Sequence, residues 1–259
     1  MTSAAWFPYP APDGAGTQLF CLPPAGGGAS GFRNWQAALG PDVAVHPVQL
    51  PGREARLREP VLIDAAEVVD RLLDPLLARA AERFVLFGHS MGALLAFELA
   101  HRLTELGRPP AHLVVSAHVP PQLLHLREPL PPAARMTDPY LRDYLARTAG
   151  APAELLDLPE LMELVLPVLR GDLTLCARYR SPSRPPLSVP ITAFGGDVDP
   201  VARPEVLADW AEHTTATFAA RAFPGGHGYL HDDPAAVATA VVSAAARTRS
   251  GAVARPAGR

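Results

Sequence analysis

A serine at position 90 stands between two glycines in the stretch GHSMG, residues 88–92. The spacing fits G-x-S-x-G, a pattern that places a nucleophilic serine on a sharp turn between a strand and a helix. The neighbouring residues supply that context, because the apolar run Phe84–Phe87 precedes the turn and a helix-like run to Leu106 follows it. We therefore predict that Ser90 is a nucleophile. The backbone N–H of Met91, at the start of the helix, should face negative charge developing beside it.

A serine hydroxyl is a weak nucleophile without a base, so a histidine and an orienting acid are expected. After this type of turn the chain order is serine, acid, histidine. The stretch FPGGHGYL, which follows the last strand-like run, supplies His227, and AFGGDVDP, which follows the run before it, supplies Asp197 and Asp199. We predict His227 as the base. As the acid we favour Asp199, which precedes Pro200 at the exit of its loop, with Asp197 as the alternative.

The other histidines suit this role less well. His89 is adjacent to Ser90 but is expected to point away into the protein. His231 lies one helical turn past His227, and we interpret it as a surface or supporting residue. His112 and His118 flank a predicted strand and are also less suitable. The remaining four lack a position at a strand end: His46, His101, His125 and His213.

A second backbone donor is needed to stabilise an oxyanion beside Ser90. The stretch PPAGGG, residues 23–28, directly follows the first strand-like run, and its small residues let the backbone approach a ligand closely. We predict the Ala25 N–H as the partner of Met91. A phosphate-binding loop is the alternative, but the chain has no lysine for a P-loop, and no G-x-G-x-x-G is expected to open a helix here.

Composition limits the possible functions. The chain has 259 residues, is 48% hydrophobic and carries a formal net charge of −3, which gives no electrostatic argument for binding nucleic acid or an anionic membrane. The two cysteines, Cys21 and Cys176, lie in apolar runs and are interpreted as buried thiols. We find no signal peptide and no apolar run of the roughly 20 residues that cross a membrane. We therefore expect a soluble, cytoplasmic protein.

Strand-like and helix-like segments alternate along the chain, which predicts an α/β fold with a mainly parallel sheet flanked by helices. Six short apolar runs are predicted strands: Thr17–Leu22, Val43–Val48, Phe84–Phe87, His112–Ser116, Val189–Phe194 and Thr217–Phe223. Helices are predicted from the capping pair Asp64 and Glu67 to about Ala81, with a kink at Pro75, after Ser90, and from Pro204 to Trp210.

The segment 120–186 breaks this alternation. It contains helix patterns, one of which is interrupted by Pro167 and Gly171, and no clear strand. We interpret it as a helical lid over the strand ends, with helices packed on the flank of the sheet as the alternative. The expected organisation is a single domain over residues 1–246, followed by a disordered tail over 247–259.

The motifs LFCLPPAGGGAS, VQLPGREARLREP, GHSMGALLAFELA, AFGGDVDP and FPGGHGYL, together with Trp210, resemble the stand-alone type II thioesterases of polyketide and nonribosomal peptide pathways. The resemblance spans nearly the whole chain, and the PGR segment distinguishes this family from other α/β hydrolases. It implies the α/β-hydrolase fold with a helical lid, a triad of Ser90, Asp199 and His227, and oxyanion donors at Ala25 and Met91.

The implied activity is hydrolysis of acyl groups from the phosphopantetheine arm of carrier proteins, which removes stalled or incorrect chains. The partners would be acyl or peptidyl carrier domains. The enzyme itself would be a monomer without a metal or cofactor of its own. Three alternatives remain: a carboxylesterase or lipase acting on oxygen esters, a medium-chain fatty acyl carrier thioesterase, and a non-catalytic protein that binds acyl carriers.

Two further sets of residues have two interpretations each. Arg53, Arg56 and Arg58 could contact the carrier or the phosphate of its arm, or instead pair with Glu54 and Glu59 inside their own loop. Apolar residues of the insertion could line an acyl channel, although helical spacing is more typical of plain core: Leu161, Met162, Leu166 and Leu169.

Overall fold

The computed structural model describes residues 3–126, 129–149 and 152–251. Its centre is a sheet of six strands in which every neighbouring pair is parallel. The strands are β1 (Thr17–Leu22), β2 (Val43–Pro47), β3 (Phe84–His89), β4 (His112–Ser116), β5 (Ile191–Gly196) and β6 (Phe218–Phe223). All six predicted strands are present, with bounds shifted by at most two residues.

The strand order is β2-β1-β3-β4-β5-β6. The order along the chain reverses between β1 and β3, and ligands of open α/β sheets bind outside the carboxyl ends of the strands at such a point. Leu22 of β1 pairs with Gly88 of β3. The glycine-rich loop and the serine turn therefore leave the sheet side by side.

Nine α-helices accompany the sheet in the described ranges. They are α1 (Ser3–Trp6), α2 (Trp35–Leu39), α3 (Ala65–Leu77), α4 (Met91–Glu105), α5 (Asp138–Ala149), α6 (Ala153–Leu156), α7 (Pro159–Arg178), α8 (Tyr229–Asp232) and α9 (Pro234–Gly251). Successive side chains of β3 alternate between two cores. Leu86 is buried in a core with residues of α3 and α4, whereas Val85 and Phe87 are buried in a core with residues of α9. The centre of the sheet is thus covered on both faces, whereas four of the six residues of the edge strand β6 are exposed.

The predicted helix ends are partly correct. The Asp64 carboxylate accepts a hydrogen bond from the Glu67 N–H at 3.1 Å, which caps α3 as predicted. The helix ends at Leu77 instead of Ala81. The segment predicted as a helix from Pro204 is a 3₁₀ helix, Pro204–His213.

Between β4 and β5 lies the helical insertion, which contains α5, α6 and α7 and, within its described residues, no strand. The predicted interruptions at Pro167 and Gly171 are wrong, because α7 is continuous from Pro159 to Arg178. Its apolar face is buried in a core of the insertion, and this packing outweighs the low helix propensity of proline and glycine. That core contains Met136, Leu141, Met162, Leu166, Leu169 and Leu173.

The C-terminal end of the described chain differs from the prediction. Residues 247–251, expected to belong to a disordered tail, form the last turn of α9. The remaining predicted tail, 252–259, lies outside the described residues. The preceding part of α9 is fixed to the sheet by buried apolar residues, including Val237 and Val241.

Candidate active site

The turn between β3 and α4 places Ser90 at the edge of the sheet. Its backbone has φ 53° and ψ −118°, outside the conformations that side-chain-bearing residues ordinarily adopt. A Cβ atom on Gly88 would lie 2.0 Å from the carbonyl oxygen of Gly92, and one on Gly92 would lie 2.1 Å from that of Leu22. Only glycine fits at both places, which is the physical reason for the G-x-S-x-G spacing.

His227 and Asp199 converge on this serine. The Nε2 atom of His227 is 2.9 Å from Ser90 Oγ, and its Nδ1 atom is 2.9 Å from Asp199 Oδ2. All three residues are buried. Since a carboxylate only accepts, Nδ1 carries the ring proton and donates it to Asp199. The lone pair of Nε2 then faces the serine hydroxyl, as a general base requires.

The two candidate acids have different surroundings. Asp199 Oδ1 accepts hydrogen bonds from the N–H groups of Val201 and Ala202 at 2.7 and 3.1 Å, which fix the carboxylate against His227. Asp197 is exposed, and its Oδ1 accepts from the Gly225 N–H at 2.9 Å. The geometry therefore favours Asp199 as the partner of His227, while Asp197 ties together the loops that follow β5 and β6.

Both residues predicted as oxyanion donors lie beside Ser90. Met91 is the first residue of α4, and Ala25 lines the cavity that contains Ser90. Within the described ranges neither backbone N–H has a hydrogen-bond acceptor. Both donors remain free for a ligand oxygen, which is the arrangement an oxyanion hole needs.

The loop after β1 also bears on the phosphate-binding alternative. Glycines 26, 28 and 31 do have the G-x-G-x-x-G spacing, but the loop leads into a 3₁₀ turn of four residues, Ala29–Phe32, and not into an α-helix. The Glu54 carboxylate accepts from Ser30 N–H and Oγ at 3.2 and 2.6 Å. A negative charge thus occupies the donors that a pyrophosphate would need, and the alternative is disfavoured.

His89 has a role that the sequence did not indicate. It is buried as predicted, and its Nε2 donates to the backbone oxygen of His227 at 3.0 Å. Its Nδ1 then accepts from Ser116 Oγ at 2.8 Å, and Ser116 accepts from the Tyr229 hydroxyl. Burial, with a smaller contribution from His227, lowers the pKa of His89 well below its usual range, so neutral His89 holds the loop that carries His227.

The cavity at Ser90 is small and covered by the insertion. Its volume is about 40 Å³, enough for a few water molecules, since one water needs about 10–15 Å³ by this measure. Tyr144, Leu145 and Thr148 of α5 line it opposite Ser90 and His227. The exposed His231 also lines its edge, in agreement with the supporting position predicted for it.

The arginines of the PGR segment are not all at the surface. Arg53 is 5% exposed and pairs with Asp172 of α7, instead of Glu54. Arg56 is 3% exposed and pairs with Glu59 at 2.7 Å, which confirms the internal interpretation for this residue. Arg58 is exposed. The carrier-contact hypothesis is therefore wrong for the two buried guanidinium groups.

Other predicted features have mixed outcomes. Cys21 is buried, whereas Cys176 is only half-buried; neither forms a disulfide. The apolar residues of α7 that were considered for an acyl channel instead belong to, or pack against, the core of the insertion. In the described part of the chain no helix is long and apolar enough to cross a membrane. Those same residues include no cluster of metal-ligating side chains.

Comparison with known proteins places this chain in a family. The model of the thioesterase domain matches residues 17–245. Thioesterase PikA5 from Streptomyces venezuelae is 37% identical over 226 residues, covering 86% of this chain and 79% of that protein.

Two solved structures are also similar over most of their length. The type II thioesterase BorB from the borrelidin biosynthetic cluster has a TM-score of 0.84 at 36% identity, covering 95% of this chain and 99% of that one. The RedJ thioesterase from the prodiginine pathway in Streptomyces coelicolor has a TM-score of 0.81 at 39% identity, covering 94% and 92%. The chain therefore belongs to the thioesterase domain family and has the α/β-hydrolase fold of those enzymes.

Proposed function

We propose that this protein is a serine thioesterase that hydrolyses acyl groups from the phosphopantetheine arm of acyl or peptidyl carrier proteins. Its role is to edit stalled or incorrect chains in polyketide or nonribosomal peptide biosynthesis. The proposal is carried by the hydrogen-bonded series Ser90, His227 and Asp199 in a chain similar to type II thioesterases of such pathways.

In the first half-reaction Ser90 Oγ attacks the thioester carbonyl and transfers its proton to His227 Nε2. The negative charge passes to the carbonyl oxygen, which accepts from the N–H groups of Ala25 and Met91. The carbon–sulfur bond then breaks, and His227 donates the proton to the departing sulfur. Asp199 stabilises the imidazolium that exists between these steps. The products are a free carrier thiol and an acyl-serine.

In the second half-reaction His227 takes a proton from a water molecule, which attacks the acyl-serine carbonyl. The same two N–H groups bind the second oxyanion. Collapse releases the carboxylic acid, and Ser90 regains its proton from His227. Every proton transfer uses side chains of this chain, and the phosphopantetheine arrives with the substrate. No cofactor of the enzyme's own enters the scheme.

Access to Ser90 requires movement of the helical insertion. A cavity of about 40 Å³ does not accommodate an acyl chain together with the end of a pantetheine arm. Because α5 supplies Tyr144, Leu145 and Thr148 to the cavity wall, a shift of α5 is the direct way to enlarge it. We propose that the insertion acts as a lid whose opening admits the arm.

The first test is hydrolysis of a panel of acyl-loaded carrier proteins, the matching small-molecule thioesters, and p-nitrophenyl esters of equal chain length. We expect the loaded carriers to be the best substrates. Faster turnover of the oxygen esters would support an esterase instead.

The second test is the substitution Ser90→Ala. Loss of the nucleophile should lower kcat by about 10⁶-fold and abolish labelling by a fluorophosphonate probe, with an unchanged thermal unfolding curve. Ser243→Ala, an exposed serine on α9, is the matched control and should keep full activity. Wild-type turnover by Ser90→Ala would refute the assignment of the nucleophile.

A further inference from the structure

A buried ion pair joins the helical insertion to the loop that carries Ala25. Arg53 Nη1 and Nη2 donate to Asp172 Oδ2 and Oδ1 at 2.6 and 2.8 Å, a bidentate arrangement. The same Nη1 donates to the carbonyl oxygen of Gly27 at 3.0 Å, and Asp172 Oδ2 accepts from the Gly26 N–H at 2.8 Å. Both charged residues therefore contact the backbone directly after Ala25.

These contacts surround the peptide group that contains the Ala25 N–H. The Gly27 N–H donates to the carbonyl oxygen of Pro24 at 3.0 Å, and Gly26 has φ +75°, as in the third position of a type II turn. The Pro24 carbonyl and the Ala25 N–H belong to one planar peptide. Fixing Gly26 and Gly27 thus fixes the direction in which the Ala25 N–H points.

Stability alone is a weak explanation for this ion pair. The side chains of Arg53 and Asp172 are 6% and 1% exposed. At such burial the desolvation penalty is comparable with the attraction, and apolar replacements of similar size are often as stable. A charged pair does provide directional hydrogen bonds to both faces of a peptide turn, which apolar side chains do not.

We infer that Arg53 and Asp172 are positioning residues for the oxyanion hole. They hold the Ala25 N–H in place and couple its direction to helix α7 of the insertion. The inference rests on the proposed function, in which Ala25 is an oxyanion donor. Close packing between the turn and α7 supports the coupling: a Cβ atom on Gly26 would lie 3.3 Å from Leu169 Cδ1.

The test uses the double variant Arg53→Met with Asp172→Leu in the full-length protein. Removing both charges together leaves no uncompensated buried charge, so we expect a melting temperature close to wild type. The turn nevertheless loses two hydrogen bonds. We expect kcat to fall about 10- to 100-fold, less than the loss of a whole oxyanion donor, about 10²- to 10³-fold, while KM stays within about twofold.

The second readout is inhibition by an alkyl trifluoromethyl ketone, which forms a tetrahedral adduct with Ser90 and places an oxyanion in the hole. Its inhibition constant should rise by the same factor as kcat falls, a match that a general loss of stability would not produce. A second variant, Asp172→Asn, keeps an acceptor oxygen for the Gly26 N–H but removes the carboxylate that pairs with Arg53. In this variant, too, the fall in kcat and the rise in the inhibition constant should be equal factors.

The matched control is Glu105→Gln, which removes a carboxylate from an exposed ion pair with Arg102 on α4, outside the insertion, and should leave both quantities unchanged. Wild-type kcat and inhibition constant in a folded variant at Arg53 or Asp172 would overturn the inference. If the wild-type protein hydrolyses oxygen esters but not thioesters, the proposed function fails. Inhibition of the wild type and the variants by the trifluoromethyl ketone still tests the role of Arg53 and Asp172, because hydrolysis of a thioester and of an oxygen ester would use the same oxyanion donors.

Discussion

Two regions of the molecule meet at Ser90, and they differ in how their residues are held. On the sheet side, Ser90, Asp199 and His227 follow the ends of three strands, and each has partners within the same framework. On the other side, α5 of the helical insertion contributes Tyr144, Leu145 and Thr148, which cover the serine. The sheet therefore supplies the groups that we propose to react, and the insertion lines the space around them.

The insertion is itself divided. Helix α7 is fixed to the framework by the buried pair of Asp172 with Arg53, and beyond its end Arg184 and Tyr179 bind Glu98 of α4. Helix α5 packs on α7 through the apolar core of the insertion and is joined to it by the more exposed pair of Asp138 with Arg170. The polar contacts that fix α7 to the framework are therefore less exposed than the polar contact between α5 and α7.

The largest effect expected in this comparison is on the sheet side. Asp199→Asn should lower kcat about 10⁴-fold, because the amide favours the wrong tautomer of His227. Asp197→Asn is the matched control: it keeps an oxygen that can accept from Gly225 and should lower kcat less than about tenfold. Steady-state hydrolysis of one acyl thioester measures both. A larger loss in Asp197→Asn would reverse the assignment of the acid.

A smaller effect is expected on the insertion side. Leu145→Ala enlarges the cavity at Ser90, and one methylene in an apolar pocket changes discrimination about 10-fold or more. We expect kcat/KM for longer or branched acyl groups to rise by about that factor relative to acetyl.

The control for this substitution is Leu161→Ala, an equally half-buried leucine that packs in the core of the insertion. It should leave the preference for acyl length unchanged. The same preference in Leu145→Ala as in wild type would show that α5 does not line the acyl site in the reactive state.

The smallest effect concerns pH and the stability of the framework. Burial lowers the pKa of both His46 and His112 from 6.5 to about 4. Between these values the unfolded chain binds protons that the folded chain does not, so stability falls as the pH falls from about 6.5 towards 4. The loss is at most about 1.4 kcal/mol per pH unit for each histidine.

We expect a lower melting temperature at pH 5 than at pH 7.5. His112→Gln should weaken this dependence, whereas His125→Gln, at an exposed residue of the insertion, should not. A melting temperature that does not change between pH 7.5 and pH 5 would contradict the expectation that protonation of buried framework histidines lowers the stability.

Local sequence was sufficient where one turn or one strand end determines the outcome. Gly88 is required by a contact with Gly92 in the same turn, and Gly92 by a contact with Leu22 at the end of β1. Because this turn is a recurring one, G-x-S-x-G indicated the position of Ser90 directly. Strands β1 to β5 were predictable from their apolar runs, since buried strands of a parallel sheet need such runs. The edge strand β6 was also predicted, although four of its six residues are exposed. The loops after β5 and β6 likewise indicated His227 and two candidate acids.

Only the tertiary structure could choose between Asp197 and Asp199, because the choice depends on which carboxylate faces His227 from a loop 28 residues away. The same holds for His89, whose partner is the backbone of His227, and for Arg53, whose partner Asp172 is 119 residues distant. The sequence determined which groups could react, since that depends on residue type and local turns. The fold decided which of them touch, since long-range contacts depend on the packing of the whole chain.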